Sequence, residues 1–135
     1  MIEVKVRHQG AVKFEVSARQ HTLVCDQPTE NGGADEGMTP PEIFLASLGS
    51  CAAFYAVAYL KKKNLPHHGV QVRVTAEKVP APARLDHIRI GVDVAATLTE
   101  ADHAGVLDSV HRCLIHNTLL HTPTVTIDLQ TPVTT

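Results

Sequence analysis

The stretch PPEIFLASLGSCAAFYAVAYLKKKN, residues 40–64, decides the fold of this 135-residue chain. Proline at its start and three lysines at its end are typical of the two ends of a helix, so we predict one helix from about Pro41 to Lys63. No charged side chain occurs between Ile43 and Leu60. A helix that is apolar on every side is typically buried on nearly all sides.

The uncharged stretch is long enough to be weighed as a membrane span, which needs about 18–20 apolar residues. Many of its residues are alanine, glycine or serine, however, whereas leucine, isoleucine and phenylalanine dominate most bilayer helices. Small residues instead allow another helix to approach closely. One chain of this length has few elements left to cover the helix, so we predict a soluble homodimer and no membrane partner.

Period-two alternation of apolar and polar residues predicts half-buried strands. Alternation of this kind favours antiparallel pairing, because strands covered on both faces read as continuous apolar runs. We expect PAPARLD, residues 80–86, to be the loop of a long hairpin between the third and fourth alternating sets. The alternating apolar positions are Ile2 to Val6, Val12 to Val16, Val70 to Ala76, Ile88 to Val94 and Val125 to Leu129, with a shorter strand predicted at His21 to Cys25.

A second helix is predicted to begin at Thr99, where TEAD resembles an N-cap followed by acidic first-turn residues. We expect it to continue through HAGVLDSVHRCLIH to His116, with a further helical turn or two near Asn117 to His121. The polar segment from Gln27 to Thr39 contains three glycines and is predicted to be a loop. The whole chain, residues 1–135, is interpreted as a single α+β domain.

Composition excludes few functions and supports none. Apolar residues make up 44% and charged residues 19% of the chain, as in an ordinary globular domain. A net charge of −2 gives no electrostatic case for binding nucleic acid. The N-terminal residues do not resemble a signal peptide, and three cysteines do not suggest a disulfide framework, so a cytoplasmic protein is expected.

Two motifs together resemble the OsmC/Ohr family of stress-response thiol proteins. They are GGADEGMTPPEIFLASLGSCAAFYAVAYLKKKNL, residues 32–65, and HRCLIHNTL, residues 111–119. The resemblance implies an intertwined homodimer in which a six-stranded antiparallel sheet wraps two long central helices, with active sites at the subunit interface. It also implies thiol-dependent reduction of organic hydroperoxides, with a dithiol as reductant and no cofactor.

The resemblance assigns roles to two cysteines. Cys51 would be the peroxidatic thiol, which attacks the O–O bond and becomes a sulfenic acid. Cys113 would be the resolving thiol, which condenses with that acid to a disulfide. This requires the two Cα atoms to come within about 4.4–6.8 Å of each other. It also requires a cation beside Cys51, because apolar burial alone raises the pKa of a thiol.

The cation and its acidic partner are less well defined. Arg7, in VRHQG, lies nearest to the arginine of the peroxidase branches, and Arg19, in SARQHT, is a rival; a solvent-facing Arg7 is the alternative. Glu42 is offset by one position from the glutamate of the Ohr branch, where Pro41 stands here. Glu42 is therefore interpreted either as a helix-start acid that favours the helix dipole or as the group that holds the arginine.

Other interpretations remain open from the sequence. The cluster His111, Cys113 and His116 is a weak zinc candidate without the usual ligand spacing. A Cys-His hydrolase is less consistent with His116 and Asn117 than a helix end and its cap. Cys25 is expected to be structural. The main alternative to a peroxidase is a non-catalytic protein of the same fold that binds a small apolar molecule or senses redox state.

Overall fold

Antiparallel strands and three helices follow one another along the chain, in a computed structural model that describes residues 1–134. The α+β class predicted from the sequence is confirmed. A short 3-10 helix, Thr29–Asn31, lies in the polar loop. The elements are β1 (Lys5–Gly10), β2 (Lys13–Ala18), β3 (His21–Cys25), α1 (Pro40–Lys62), β4 (Gln71–Pro80), β5 (Ala83–Asp93), α2 (Glu100–His111) and α3 (Leu114–Leu120).

Within one chain the strands form two antiparallel sheets, β1-β2-β3 and β4-β5. The six-stranded sheet that the resemblance implies is that of a homodimer, and it stays a prediction. Helix α1 packs on β4 and β5, whereas every residue of β1 is exposed, including Val6 at 62%. The alternation in the first strand therefore does not mark a face buried within the chain. Ile2 and Val4, expected in that strand, precede its first residue.

The β4-β5 hairpin is tighter than expected. Its strands pair as far as Pro80 with Ala83, so the loop consists only of Ala81 and Pro82. The expected seven-residue loop was wrong because residues 83–86 continue β5. Arg84 assists this by donating hydrogen bonds to the Pro82 carbonyl at 3.0 Å and to the Asp86 carboxylate at 3.5 Å.

Local sequence fixes both ends of α1. Thr39 and Glu42 form a reciprocal capping box at the N-terminus, where prolines occupy the first helical positions. At the C-terminus Asn64 adopts a left-handed conformation with φ of 55°. The N–H groups of Leu65 and Asn64 donate to the carbonyls of Leu60 and Lys61, which is the Schellman pattern. Leu65 then packs on the core that contains Leu60.

One face of α1, and not nearly all of its surface, is buried within the chain. The fully buried residues recur every fourth position, which places them in one row along the helix. The opposite surface includes Phe54, which is 68% exposed. The helix meets the length and composition of a membrane span, but its buried row packs on a sheet and on α2, as in a core helix. The row consists of Leu48, Ala52, Ala56 and Leu60.

The second predicted helix is broken at Cys113, so its expected continuation to His116 was wrong. Helix α2 ends at His111, and Cys113 has φ of −55° and ψ of 131°, which is extended backbone. The Cys113 N–H still donates to the Val110 carbonyl at 3.0 Å, and its own carbonyl accepts the Asn117 N–H at 2.9 Å. The break thus begins α3 at the residue after Cys113.

The last predicted strand, Val125 to Leu129, does not form in the chain. The alternation is present, but a strand needs a neighbouring edge to satisfy its backbone groups, and the described residues 122–134 pair with none. Val125, Ile127 and Leu129 are 75%, 92% and 88% exposed. The alternation of side chains predicts which face of a strand would be buried, but it does not show that another strand is available to pair with it.

Asp26 organises the glycine-containing loop that leads into α1. Its side chain is 1% exposed and accepts N–H donors from Gln27 at 2.8 Å, Glu36 at 3.1 Å and Ala34 at 3.2 Å. These bonds, led by that from Gln27, hold the pKa of Asp26 below its ordinary value of 3.8. A Cβ atom at Gly33 would overlap the Gln27 carbonyl, so the loop closes tightly around the carboxylate.

Replacing Asp26 with asparagine is expected to lower the melting temperature at neutral pH. The depressed pKa means that the ionised carboxylate stabilises the fold fully above its ordinary pKa and loses that effect as the pH falls through the depressed value. The difference from wild type should therefore shrink in melts below about pH 3.8. Asp35→Asn, at an exposed loop position with φ of 54°, is the matched control and should match wild type.

Candidate functional site

Cys51 of α1 and Cys113, between α2 and α3, are joined by a disulfide. Their Cα atoms are 5.9 Å apart although 62 positions separate them in sequence. The separation lies within the range of about 4.4–6.8 Å for disulfides, so the predicted approach of the two cysteines is confirmed. Cys113 is fully buried, whereas Cys51 is half-buried, so the two sulfurs differ in their accessibility.

Two side-chain hydrogen bonds fix α2 against α1 near the disulfide. Ser109, which is 6% exposed, donates to the Tyr55 carbonyl at 3.0 Å. Tyr59 donates its hydroxyl to the Asp102 carboxylate at 2.9 Å. Burial, assisted by Asp102, raises the pKa of Tyr59 above 10.0, so the phenol stays a donor. Sequence reasoning missed these residues, whose only signal is polar character on otherwise apolar helix faces.

An apolar cavity of about 270 Å³ lies beside the disulfide. Two histidines are its only ionisable lining groups besides Cys113, among the residues that the structure describes. Their rings are 5.7 Å apart. The wall of the cavity consists of Leu48 and Ala52 of α1, Ile88 and Ile90 of β5, Val110 and His111 of α2, Cys113, and His116 and Leu119 of α3.

Backbone contacts orient both imidazoles. His111 bonds through Nδ1 to the Leu107 carbonyl at 2.7 Å, and His116 bonds through Nδ1 to the His111 carbonyl at 3.3 Å. A carbonyl oxygen can only accept a hydrogen bond, so in each of these two bonds the imidazole Nδ1 is protonated and donates. In the neutral ring Nε2 is then the basic nitrogen. Each ring can therefore exchange a proton at Nε2.

Glu42 caps α1. Its carboxylate accepts the Thr39 N–H and hydroxyl, both at 2.9 Å, and the Glu42 N–H donates to the Thr39 hydroxyl at 3.4 Å. These bonds, the Thr39 N–H first, hold the pKa of Glu42 below its ordinary value of 4.5. The charged neighbour that contributes to this effect is Lys78 of β4. Within the described chain, Glu42 has the contacts of a helix-start acid.

Replacing Glu42 with alanine is expected to lower the free energy of unfolding, because the N–H and hydroxyl of Thr39 then lose their acceptor. Glu42→Gln should retain most of that stability, because glutamine also serves in a capping box. Urea denaturation of the two variants tests the capping role. A glutamine variant as unstable as the alanine variant would show that the negative charge, not the box, stabilises this helix end.

The candidate arginines lie on the three-stranded sheet. Arg7 is exposed on β1 and pairs with Glu15 of β2 at 3.1 Å. Arg19 is exposed in the β2-β3 turn, with φ of 55°. Because α1 packs on the other sheet, a single chain does not gather either arginine, Glu42 and the disulfide into one cluster. Which arginine accompanies Cys51 stays a prediction.

The zinc, hydrolase and Cys25 interpretations concern residues whose contacts are those of packing and helix capping. No group of three or more metal-ligating side chains occurs among residues 1–134, so the zinc interpretation gains no support. Asn117 donates its side-chain amide to the Arg112 carbonyl at 3.4 Å, as a helix-end cap does. Cys25 is free, 7% exposed and bridged through its backbone to Met38.

Known proteins resemble this chain in sequence pattern and in fold. Residues 32–128 match the sequence pattern of the family described as OsmC-like protein. No functionally curated protein matches the chain. Solved structures share the fold at low identity, as follows.

A candidate osmotic-stress-induced and detoxification-response protein from Psychrobacter arcticus is 20% identical, with 87% of this chain and 88% of that one covered and a TM-score of 0.79. An OsmC-like protein from Mycoplasma pneumoniae is 18% identical, with 90% and 89% covered and a TM-score of 0.78. An organic hydroperoxide resistance protein from Elizabethkingia anophelis is 16% identical, with 90% and 89% covered and a TM-score of 0.64.

Proposed function

This chain belongs to the OsmC-like protein family, and we propose that it is a thiol-dependent peroxidase that reduces organic hydroperoxides through Cys51 and a Cys51–Cys113 disulfide. The observation that carries the proposal is the disulfide itself, which joins two helices across 62 positions beside an apolar cavity. Some proteins that share the fold are named for organic hydroperoxide resistance.

The proposed cycle has three steps. The Cys51 thiolate attacks the outer oxygen of the hydroperoxide and the O–O bond breaks, so Cys51 becomes a sulfenic acid and the alkoxide takes up a proton from water and leaves as an alcohol. The Cys113 thiol attacks that sulfur, so that a disulfide forms and water leaves. A dithiol then returns both cysteines to thiols and becomes a disulfide itself. The half-buried Cys51 suits the first role and the fully buried Cys113 suits the second.

A homodimer is part of the proposal. The chain leaves apolar residues exposed on α1, on β1 and in its C-terminal segment, for example Phe54, Val6 and Ile127. A cleft of about 500 Å³ on α1 is lined largely by small or apolar residues, including Ala46, Gly49 and Ala53. Exposed apolar surface of this extent is characteristic of an interaction site, and a second copy of the chain is the proposed cover.

A non-catalytic protein of the same fold is the second candidate. The cavity would admit a small apolar molecule, and the two arginines stand apart from Cys51 in a single chain. A binder or redox sensor needs the cavity or the disulfide but no activating cation. It differs from a peroxidase in how fast Cys51 reacts.

Thiol counting separates the two candidates. The reduced protein is treated with one equivalent of an organic hydroperoxide or of hydrogen peroxide, and the free thiols and the disulfide are followed by mass spectrometry. A peroxidase should lose two thiols rapidly, form the Cys51–Cys113 disulfide and react faster with the organic hydroperoxide. No reaction at one equivalent, or slow oxidation without the disulfide, would instead indicate the binding protein.

Arg7→Ala is expected to slow the reaction of Cys51 with hydroperoxide by about tenfold or more. A cation within ~4–6 Å of an acidic group lowers the pKa of that group by about one to three units, so its loss would leave less of Cys51 as the reactive thiolate. Arg19→Ala is the matched control and should react as wild type does. The measurement is the initial rate of thiol loss at neutral pH. The reverse order of effects would assign the cation to Arg19, and equal rates would remove both arginines from the mechanism.

A further inference from the structure

Cys113 is the more deeply buried sulfur of the disulfide. The residue is 0% exposed and lies where α1, β5, α2 and α3 meet. Apolar burial disfavours a thiolate. Each time the disulfide opens, however, one sulfur must leave with the electron pair of the broken bond. A group beside Cys113 that donates a proton would therefore favour this step.

The cavity wall identifies that group. Besides Cys113, the wall includes Leu48 of α1, Ile88 of β5 and Leu119 of α3, which cannot exchange protons. Arg112, adjacent in sequence, pairs instead with Asp108 at 3.5 Å. Within the described chain the wall holds no carboxylate, lysine or arginine, and its two exchangeable side chains are His111 and His116.

We propose that the imidazole pair His111 and His116 donates a proton to Cys113 when the disulfide opens and accepts it when the disulfide closes. Both residues line the cavity that Cys113 lines, and both rings are held through Nδ1 by backbone carbonyls, which leaves Nε2 for the exchange. The exposed His111 connects the pair to solvent, and His116 is half-buried. The pair thus bridges the buried sulfur and water.

The opening step balances with a dithiol as reductant. One thiolate of the dithiol attacks the accessible Cys51 Sγ, the S–S bond breaks, and its electron pair stays on Cys113 Sγ. An imidazolium Nε2 protonates Cys113, and the proton that the attacking thiol lost replaces it through water. The second thiol then attacks the mixed disulfide and releases Cys51. Two electrons and two protons have passed from the dithiol to the two cysteines.

The inference rests on the redox cycle of the proposed function but not on the oxidant. Its test therefore uses no peroxide: the purified disulfide form is reduced with excess dithiothreitol, and the appearance of free Cys113 is followed by mass spectrometry. The variant is His111→Asn with His116→Asn, because an asparagine amide can keep the donor to each carbonyl while Nε2 is removed. Each single variant is measured as well.

His121→Asn is the matched control. His121 also bonds through Nδ1 to a carbonyl four residues earlier, that of Asn117 at 3.1 Å, but it lines another depression. The double variant should be reduced at least about tenfold more slowly at pH 7, a cautious value for general acid–base catalysis. The ratio to wild type should fall towards one as the pH rises, because the departing sulfur depends less on a donated proton in more alkaline solution.

Equal rates at pH 7 would overturn the inference, and so would a ratio that stays constant with pH, because that indicates a structural effect. His121→Asn as slow as the double variant would overturn it as well. A chain that is inert to hydroperoxide but shows the histidine-dependent reduction would refute the peroxidase and retain the proton role. A working peroxidase with equal reduction rates would do the opposite.

Discussion

Replacing Leu60 with alanine will lower the free energy of unfolding by about 2–5 kcal/mol, the cost of a large-to-small change at a closed core site. Leu60 is fully buried and lies in the cluster with Ala56 and Val106 where α1 meets α2. It also ends the helix, since its carbonyl accepts the Leu65 N–H at 2.9 Å and Leu65 packs on the same cluster.

Urea denaturation at a fixed protein concentration measures this loss, because a dimer would make the transition depend on concentration. Leu107→Ala is the matched control: it is the same chemical change on α2, at a residue that is 47% exposed. It should cost less than about 1 kcal/mol. Equal losses in the two variants would mean that Leu107 is covered as well as Leu60, which would point to an α2 surface buried in the dimer.

The sequence predicts α1 well because its signals are local. Thr39 and Glu42 cap the beginning, and the lysine-rich turn with Asn64 forms the end, so the helix is bounded by contacts within a few residues. Helix α1 thus has, within or beside its own sequence, the hydrogen-bonding groups that begin and end it. The bounds of β3 also agree with the expectation, His21 to Cys25.

The failures have a shared physical reason, which is dependence on a distant or separate surface. The break at Cys113 is not marked by glycine or proline, and it is supported by the contact of Cys113 with Cys51, 62 positions away. The segment from Val125 to Leu129 has the alternation of a strand but no edge to pair with in the described chain. Neither kind of partner can be read from periodicity.

The candidate site divides in the same way. The meeting of Cys51 and Cys113 followed from a resemblance that covers both motifs, not from spacing alone. The two histidines were visible as a cluster in HRCLIH, but their common cavity arises only when β5 and α1 close over them. Asp26, Ser109 and Tyr59 give no sequence signal beyond polarity, because their roles depend on which backbone or side-chain groups the fold brings to them.

Replacing Cys113 with serine will stop turnover while leaving the first oxidation intact, if the two cysteines act as proposed. Cys51 should still lose one thiol to hydroperoxide, but its sulfenic acid would have no thiol beside it. A thiol in the same chain acts at an effective concentration of at least ~1 M, which is far below the values reached in favourable geometry. This is about 1000-fold higher than an external dithiol at roughly 1 mM. The rate of dithiol-dependent turnover should therefore fall by about that factor.

Mass spectrometry after one equivalent of hydroperoxide, in the presence of a sulfenic-acid-specific probe, provides the direct measurement. The variant should carry the probe on Cys51, and excess hydroperoxide should convert Cys51 to the sulfinic acid, the next step of thiol oxidation. Cys25→Ala is the matched control, since Cys25 is buried and takes no part in the disulfide. It should retain the Cys51–Cys113 bond and normal turnover.

The contrast between these two cysteine variants distinguishes a resolving thiol from a thiol that merely packs. If Cys113→Ser turned over as fast as Cys25→Ala, the external dithiol would reduce the sulfenic acid directly and the disulfide would be a side product. If Cys113→Ser formed no sulfenic acid on Cys51, the half-buried thiol would be unreactive. The disulfide across α1 and the break before α3 would then serve to hold the helices together.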